Sequence, residues 1–168
     1  PDGESEARLS RLGARVLGGV DTVGDCGSDQ LVAVVAVGDA MLRSRLSAQV
    51  RAAGVALAPA LVHPTASVGR DVRLGDGSVV AAGSIITTNV EVGEGVQVNV
   101  GCSLSHDVIL RDHVTLSPGC RLTGGVEVGE RSFFGVGAVV GPRVRVGPDA
   151  RVGAGAVVLH DVAAATTV

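Results

Sequence analysis

Counting by sixes from Val68 to Val158 lands on an apolar residue every time: Val68, Leu74, Val80, Ile86, Val92, Val98, Leu104, Leu110, Leu116, Leu122, Val128, Phe134, Val140, Val146, Val152 and Val158. In a chain that is 46% apolar overall, sixteen hits in one phase would arise by chance only a few times in about a million. The residues two before each of these rungs are also restricted, and none is larger than valine. Glycine follows the rung at 69, 75, 93, 129, 135, 141, 147 and 153. This pattern predicts a sharp corner after each short strand, with the glycines supplying positive φ.

One large and one small inward residue per six describes a short strand plus a corner. Three such units close a triangular coil of 18 residues. Stacked as parallel strands at about 4.8 Å per coil, the five coils between Val68 and Val158 predict a prism on the order of 25 Å long. A narrow core of this kind suits Val, Leu, Ile and Ala, and the chain has two Phe and neither Trp nor Tyr. Residues 18 apart should lie one above the other. Cys102 and Cys120 form such a pair and read as small reduced core residues, because parallel side chains in register give poor disulfide torsions. Phe134, the one oversized rung, should sit where its neighbours leave room.

The first 62 residues follow other rules. LVAVVAVG at 31 to 38 is a continuous apolar run ended by glycine, as in a buried parallel strand. AMLRSRLSAQVRAAG follows Asp39, with Met41, Leu42, Leu46 and Val50 at helical spacing and Gly54 as its C-cap. VALAPALVHP then reads as a second strand running into the prism, which gives most of a βαβ unit. Residues 1 to 30 carry only a weak strand signal around Ala14 to Gly19. The chain opens on PDGESE, so its first residue is expected not to be the native start.

Composition excludes several classes. A net charge of −3 over 168 residues gives no sign of a nucleic-acid or membrane partner. The apolar runs fall short of the roughly 20 residues that span a bilayer, and no signal-peptide pattern opens the chain. Three cysteines, an odd number, fit a reducing compartment better than a disulfide framework. Together these predict a soluble cytoplasmic protein.

The stretch LSHDVILRDHVTLSPGCRLTGG at 104 to 125 carries the chemistry. His106 falls two places after rung Leu104, on the corner and outside the core, with Asp107 beside it. An imidazole titrates near neutrality, and a carboxylate against it fixes its tautomer and raises its basicity. Gly124 is one coil on from His106. Gly38 and Asp39 follow a parallel strand at its carboxyl end, the usual ligand edge of an α/β sheet.

The order of a small α/β unit and then a hexapeptide prism resembles the hexapeptide-repeat sugar acetyltransferases that include sialic acid O-acetyltransferases and UDP-4-amino-sugar N-acetyltransferases. AVGD at 36 to 39, LVHPTASVG at 61 to 69, SHDVILRDHVTLSPG at 105 to 119, LTGGVEVGERSFFGVGAVV at 122 to 140 and VGAGAVVLHDV at 152 to 162 carry the resemblance. It implies a partial Rossmann-like domain over 1–62 that helps hold a nucleotide sugar at Gly38 and Asp39, and a left-handed parallel β-helix over 63–168. It also implies acetyl-CoA as cosubstrate, no metal, a homotrimer, and a sugar or nucleotide sugar as acceptor. By motif the catalytic base falls at His106 and the acid that tunes it at Asp107. The thioester and pantetheine fall near Gly124, Val136 and Ala154.

The chain departs from the family pattern in three places. Relatives carry a second histidine nine residues after the base, where this chain has Thr115, whose hydroxyl is expected to donate a hydrogen bond to the acetyl group of the cosubstrate instead, and His113 stands at a position more often apolar. Neither the Gly-rich strand-turn-helix that opens relatives nor their C-terminal tail is in the sequence, which predicts a truncated member. His63 and His160 read as structural or exposed. Two further readings fit a β-helix prism. A zinc carbonic anhydrase needs a close histidine pair spaced by five, whereas His106 and His113 are seven apart. A non-catalytic trimeric scaffold fits the missing second histidine.

Overall fold

The computed structural model describes residues 3–20, 22, 23 and 31–168. Cys26 lies outside them. Helix α1 spans Gly3–Arg11, ahead of the segment that carries the weak strand signal. The apolar segment Ala14 to Gly19 forms no regular element.

Strand β1 (Val32–Ala33), helix α2 (Ala40–Ala52) and strand β2 (Ala56–Leu57) make a βαβ unit whose two strands pair in parallel. Asp39 caps α2 by accepting the Leu42 N–H at 2.7 Å. At the other end Ala53 is the C-cap and Gly54 follows at φ 79°, with Gly54 N–H on Arg51 O and Val55 N–H on Val50 O, a Schellman closure. The inward face of α2 differs from the expected one. Met41 and Leu42 are exposed, and the buried positions are Ala40, Arg43, Ser47 and Val50. Counting apolar residues alone missed this face because a buried arginine with all its donors used is as well accommodated as a leucine. The 31 to 38 run is only partly buried, since among the described residues β1 has a single parallel neighbour.

From Leu61 onward the chain is a parallel β-solenoid of about five turns. Three sheets of two- and three-residue strands form its faces. Sheet 1 stacks the strands that begin at Leu61, Val79, Gln97, Thr115, Phe133 and Arg151. Sheet 2 stacks those from Ser67, Ile85, Ser103, Arg121, Val139 and Val157, and sheet 3 those from Val72, Val90, Ile109, Glu127 and Arg145. Every pairing within these sheets is parallel with a register of 18, for example Leu104 on Leu122. Of the sixteen rungs, all but Val68 and Leu74, at the first coil, are buried. Phe134 is fully buried, and the inward positions around it are Ser132, Ala138 and Ala150. At four of the polar small inward positions the side chain donates to a carbonyl 15 residues on, Ser84 to Asn99, Cys102 to Ser117, Cys120 to Gly135 and Ser132 to Gly147, whereas Ser78 donates back to Gly75. Both cysteines are free thiols.

The corners correct one expectation. Positive φ falls three residues after each rung up to Val152, at every sixth position from Asp71 through Asn89, Asp107, Gly125 and Arg143 to Gly155, where glycine shares the positions with Asp, Asn, His and Arg. The glycines directly after the rungs are needed for closeness instead. A Cβ on Gly135 would lie 2.5 Å from the Ala154 nitrogen in the next coil. Backbones of successive coils approach too tightly there for any side chain.

Each face meets a different fate. Sheet 1 packs under the βαβ unit, through Arg43 on Thr115 and Gln97 on the Val37 carbonyl. Sheet 3 presents charge outward, with ion pairs Arg73 to Glu91 and Arg145 to Glu127. Sheet 2 and its corner with sheet 1 expose Ile85, Val100, Val136, Val157 and Leu159. Among the described residues no helix is long and apolar enough to cross a membrane.

Candidate functional site

His106 stands on the corner between sheets 2 and 3, after the Ser103–Leu104 strand and before the Ile109–Leu110 strand. Asp107 takes the left-handed conformation that this corner demands, at φ 60°. In that conformation its carboxylate Oδ2 lies 2.6 Å from His106 Nδ1. Hydrogen bonds, first from His106 and then from Asn89, hold the Asp107 carboxyl below the usual carboxylate range, so it is ionised near neutrality and can only accept. The proton of a neutral imidazole therefore sits on Nδ1. Nε2 is left with the free lone pair.

Gly124 lies directly against that nitrogen. A Cβ built there would be 2.5 Å from both Nε2 and Cε1 of His106. The coils are tied together at this point by the Gly125 N–H on the His106 carbonyl at 2.9 Å. Among the described residues the Gly124 N–H has no backbone partner. Both His106 and Asp107 are exposed, and the corner is open.

Sequence spacing missed Asn89. It lies one coil before Asp107, is left-handed at φ 52°, and donates from Nδ2 to Asp107 Oδ1 at 2.5 Å. Subtracting 18 from 107 would have found it.

Other expected site residues lie elsewhere in the chain. Val136 and Ala154 are exposed on the corner between sheets 1 and 2, in register with Ala82, Val100 and Pro118, so sheet 2 separates them from His106. Thr115 is buried on sheet 1, where its Oγ1 accepts from Arg43 Nη2 at 2.7 Å. Gly38 and Asp39 sit over the same face. Together with Met41, Arg131, Phe133 and Arg151 they line a groove of about 380 Å³. Asp39 spends its side chain on the helix cap. His113 is buried with Nδ1 unpartnered among the described residues. Burial, and then the Arg43 guanidinium, lower its pKa, so it stays neutral. Among the described residues no group of three His, Cys, Asp or Glu could hold a metal ion.

Two family profiles match parts of the prism: bacterial transferase hexapeptide (six repeats) at residues 125–160, and hexapeptide repeat of succinyl-transferase at 66–88. Among curated proteins none matches the chain. Solved structures match over nearly its whole length. Perosamine N-acetyltransferase from Caulobacter crescentus, in complex with CoA and GDP-perosamine, is 38% identical with a TM-score of 0.89, over 93% of this chain and 74% of that one. That structure carries a histidine-to-asparagine substitution, and a second one a histidine-to-alanine substitution. The acetyltransferase domain of PglB from Neisseria gonorrhoeae FA1090, in complex with acetyl coenzyme A, is 33% identical with a TM-score of 0.87, over 92% of this chain and 75% of that one. WeeI from Acinetobacter baumannii AYE is 27% identical with a TM-score of 0.85, over 92% and 74%. With a six-residue ruler, a His-Asp pair on its corner and this identity sustained across most of both chains, the protein belongs to the hexapeptide-repeat sugar acetyltransferases.

Proposed function

We propose that the chain transfers an acetyl group from acetyl-CoA to an amino or hydroxyl group of a sugar or nucleotide sugar, with His106 as general base. The observation that carries this reading is the hydrogen bond from His106 Nδ1 to Asp107, with Nε2 left free against Gly124. Nε2 takes the acceptor's proton as its nitrogen or oxygen attacks the thioester carbonyl. The new bond forms to the acyl carbon, and in this reading the Gly124 N–H donates to the oxyanion. The C–S bond then breaks, and the proton returns from His106 to the departing thiolate. The nucleotide-sugar complex of the Caulobacter relative, and the single-histidine variants made of it, support this reading.

The prism is read as left-handed and residues 63–168 as the acyltransferase domain. Residues 1–62 are read as a partial Rossmann-like domain that holds the acceptor at Gly38 and Asp39, and the setting as cytoplasmic. A homotrimer follows from the three faces: sheet 1 is covered, sheet 3 is charged, and sheet 2 leaves apolar side chains bare. Packing sheet 2 around a three-fold axis buries them. It also sets the His106 corner of one protomer against the Val136 and Ala154 corner of the next. Acetyl-CoA would lie between them.

The test is release of free thiol from acetyl-CoA against a panel of nucleotide amino-sugars, with light scattering on the same sample. Turnover by a trimer is expected. A monomer at micromolar concentration, or no turnover with any acceptor, would overturn the reading. Gly124→Ala probes the same geometry. Its φ is not left-handed, so the coil should tolerate the methyl, but the His106 ring must swing away. A displacement of about 1 Å can lower turnover about 100-fold. The expected result is a loss of about 10- to 100-fold in kcat with little change in melting temperature.

A further inference from the structure

The pair His106 and Asp107 is exposed, and an exposed ion pair holds its geometry poorly, because two mobile side chains lose entropy for little gain in water. Asp107 is nevertheless gripped at both ends. Oδ2 accepts from His106 Nδ1 at 2.6 Å and Oδ1 from Asn89 Nδ2 at 2.5 Å. Two donors on opposite oxygens fix the plane of a carboxylate, whereas one leaves it free to rotate. The backbone supports the grip, since Asp107 N–H donates to Thr88 O and Asn89 N–H to Arg70 O, each at 3.2 Å.

A second His-Asp pair tests the importance of this arrangement within the same chain. His160 and Asp161 lie three coils further on, in the same phase of the repeat. One coil before Asp161 stands Arg143 rather than an asparagine. Asp161 is not left-handed, and its Oδ1 accepts the Arg145 N–H at 2.7 Å. Among the described residues His160 makes no hydrogen bond to it. Asparagine at 89 is also not required by the backbone alone, because Asp71, His113, Arg131 and Arg143 occupy equivalent left-handed corners.

We propose that Asn89 is a positioning residue for acetyl transfer: from the preceding coil its amide holds the Asp107 carboxylate so that Oδ2 stays on His106 Nδ1. This rests on the reading of His106 as the base. The test uses the full chain and Asn89→Gly, which removes the amide and suits the left-handed backbone, alongside Asp107→Asn and the double variant. The first readout needs no acceptor: ¹⁵N spectra of the imidazoles at a pH where His106 is neutral. The wild type should show the Nδ1–H tautomer for His106, and Asn89→Gly should shift it toward the mixture seen in Asp107→Asn.

The second readout is turnover with acetyl-CoA and the acceptor identified by the panel above. Asn89→Gly should lower kcat about 5- to 50-fold, the range for one hydrogen bond to a charged group, with KM for both substrates unchanged. Placed on Asp107→Asn it should change kcat less than about twofold, since its only route to His106 is then gone. Asn89→Asp sets carboxylate against carboxylate and adds negative charge beside the imidazole, so the acid limb of kcat/KM should move to higher pH. An unchanged tautomer and unchanged kcat in Asn89→Gly, or a loss undiminished on Asp107→Asn, would overturn the role of Asn89 alone. Full activity in His106→Ala would instead remove the base reading, and this one with it.

Discussion

His106→Ala is expected to lower kcat by about 10²- to 10⁴-fold, the usual consequence of removing a general base. The prism should be unaffected, because His106 lies outside the core and contributes to the coil only through its backbone, whose carbonyl accepts the Gly125 N–H. Thermal melting followed by circular dichroism should therefore match the wild type. Binding of acetyl-CoA, measured by calorimetry, should also persist. Asp107→Asn should have a smaller effect, since the imidazole keeps its place over Gly124 but loses the carboxylate that fixes its tautomer. An alanine variant that retained most of its turnover with a competent acceptor would show that the proton leaves by another route.

The solenoid was legible because its physics is strictly periodic. A core too narrow for anything but one large and one small side chain writes itself into every sixth position, and fourteen of the sixteen rungs are buried as that count requires. The same ruler placed Gly124 against His106 with no other information. It misassigned the corner glycines, because two different constraints both select glycine. Positive φ acts three residues after the rung, where Asp, Asn, His and Arg also occur. Close approach of the next coil acts one residue after it, where a side chain such as that of alanine at 135 would meet backbone.

The candidate site was half legible. His106 and Asp107 are adjacent in sequence, yet His160 and Asp161 are equally adjacent and equally phased without forming the bond. What separates the two pairs is the left-handed φ at Asp107 and the amide of Asn89, 18 residues away. Neither appears in a local motif. The α/β unit was least legible. Its strands are two residues long, and its helix turns an arginine inward where periodicity predicted Met41 and Leu42.

That arginine carries the second large prediction. Arg43 is buried, and its guanidinium spends its donors on groups from both parts of the chain. Nε donates to Gly95 O at 2.7 Å, Nη1 to Val37 O at 2.7 Å and Gly38 O at 3.1 Å, and Nη2 to His113 O at 2.6 Å and Thr115 Oγ1 at 2.7 Å. Burial lowers its pKa to about 10, with Asp39 opposing the shift, so it remains charged at neutral pH. Arg43→Met would fill much of the space but leave those acceptors without their donor, at about 1 to 3 kcal/mol for each one that water cannot reach. Two such groups already amount to roughly 2 to 6 kcal/mol. Lysine should rescue little, because a compact ammonium cannot reproduce the fork that spans Gly95, Val37 and His113. The broken contacts all lie between α2, its preceding loop, and sheet 1 with its corner to sheet 3, whereas the solenoid core is built without Arg43. The damage should therefore appear as release of the α/β unit. Hydrogen exchange should show the α2 amides losing at least about 30-fold in protection, the equivalent of some 2 kcal/mol, while amides of the coils from Gln97 to Val158 exchange as before. Unchanged protection of α2 in Arg43→Met, or a solenoid that melts together with it, would show that the junction is held by something other than this guanidinium.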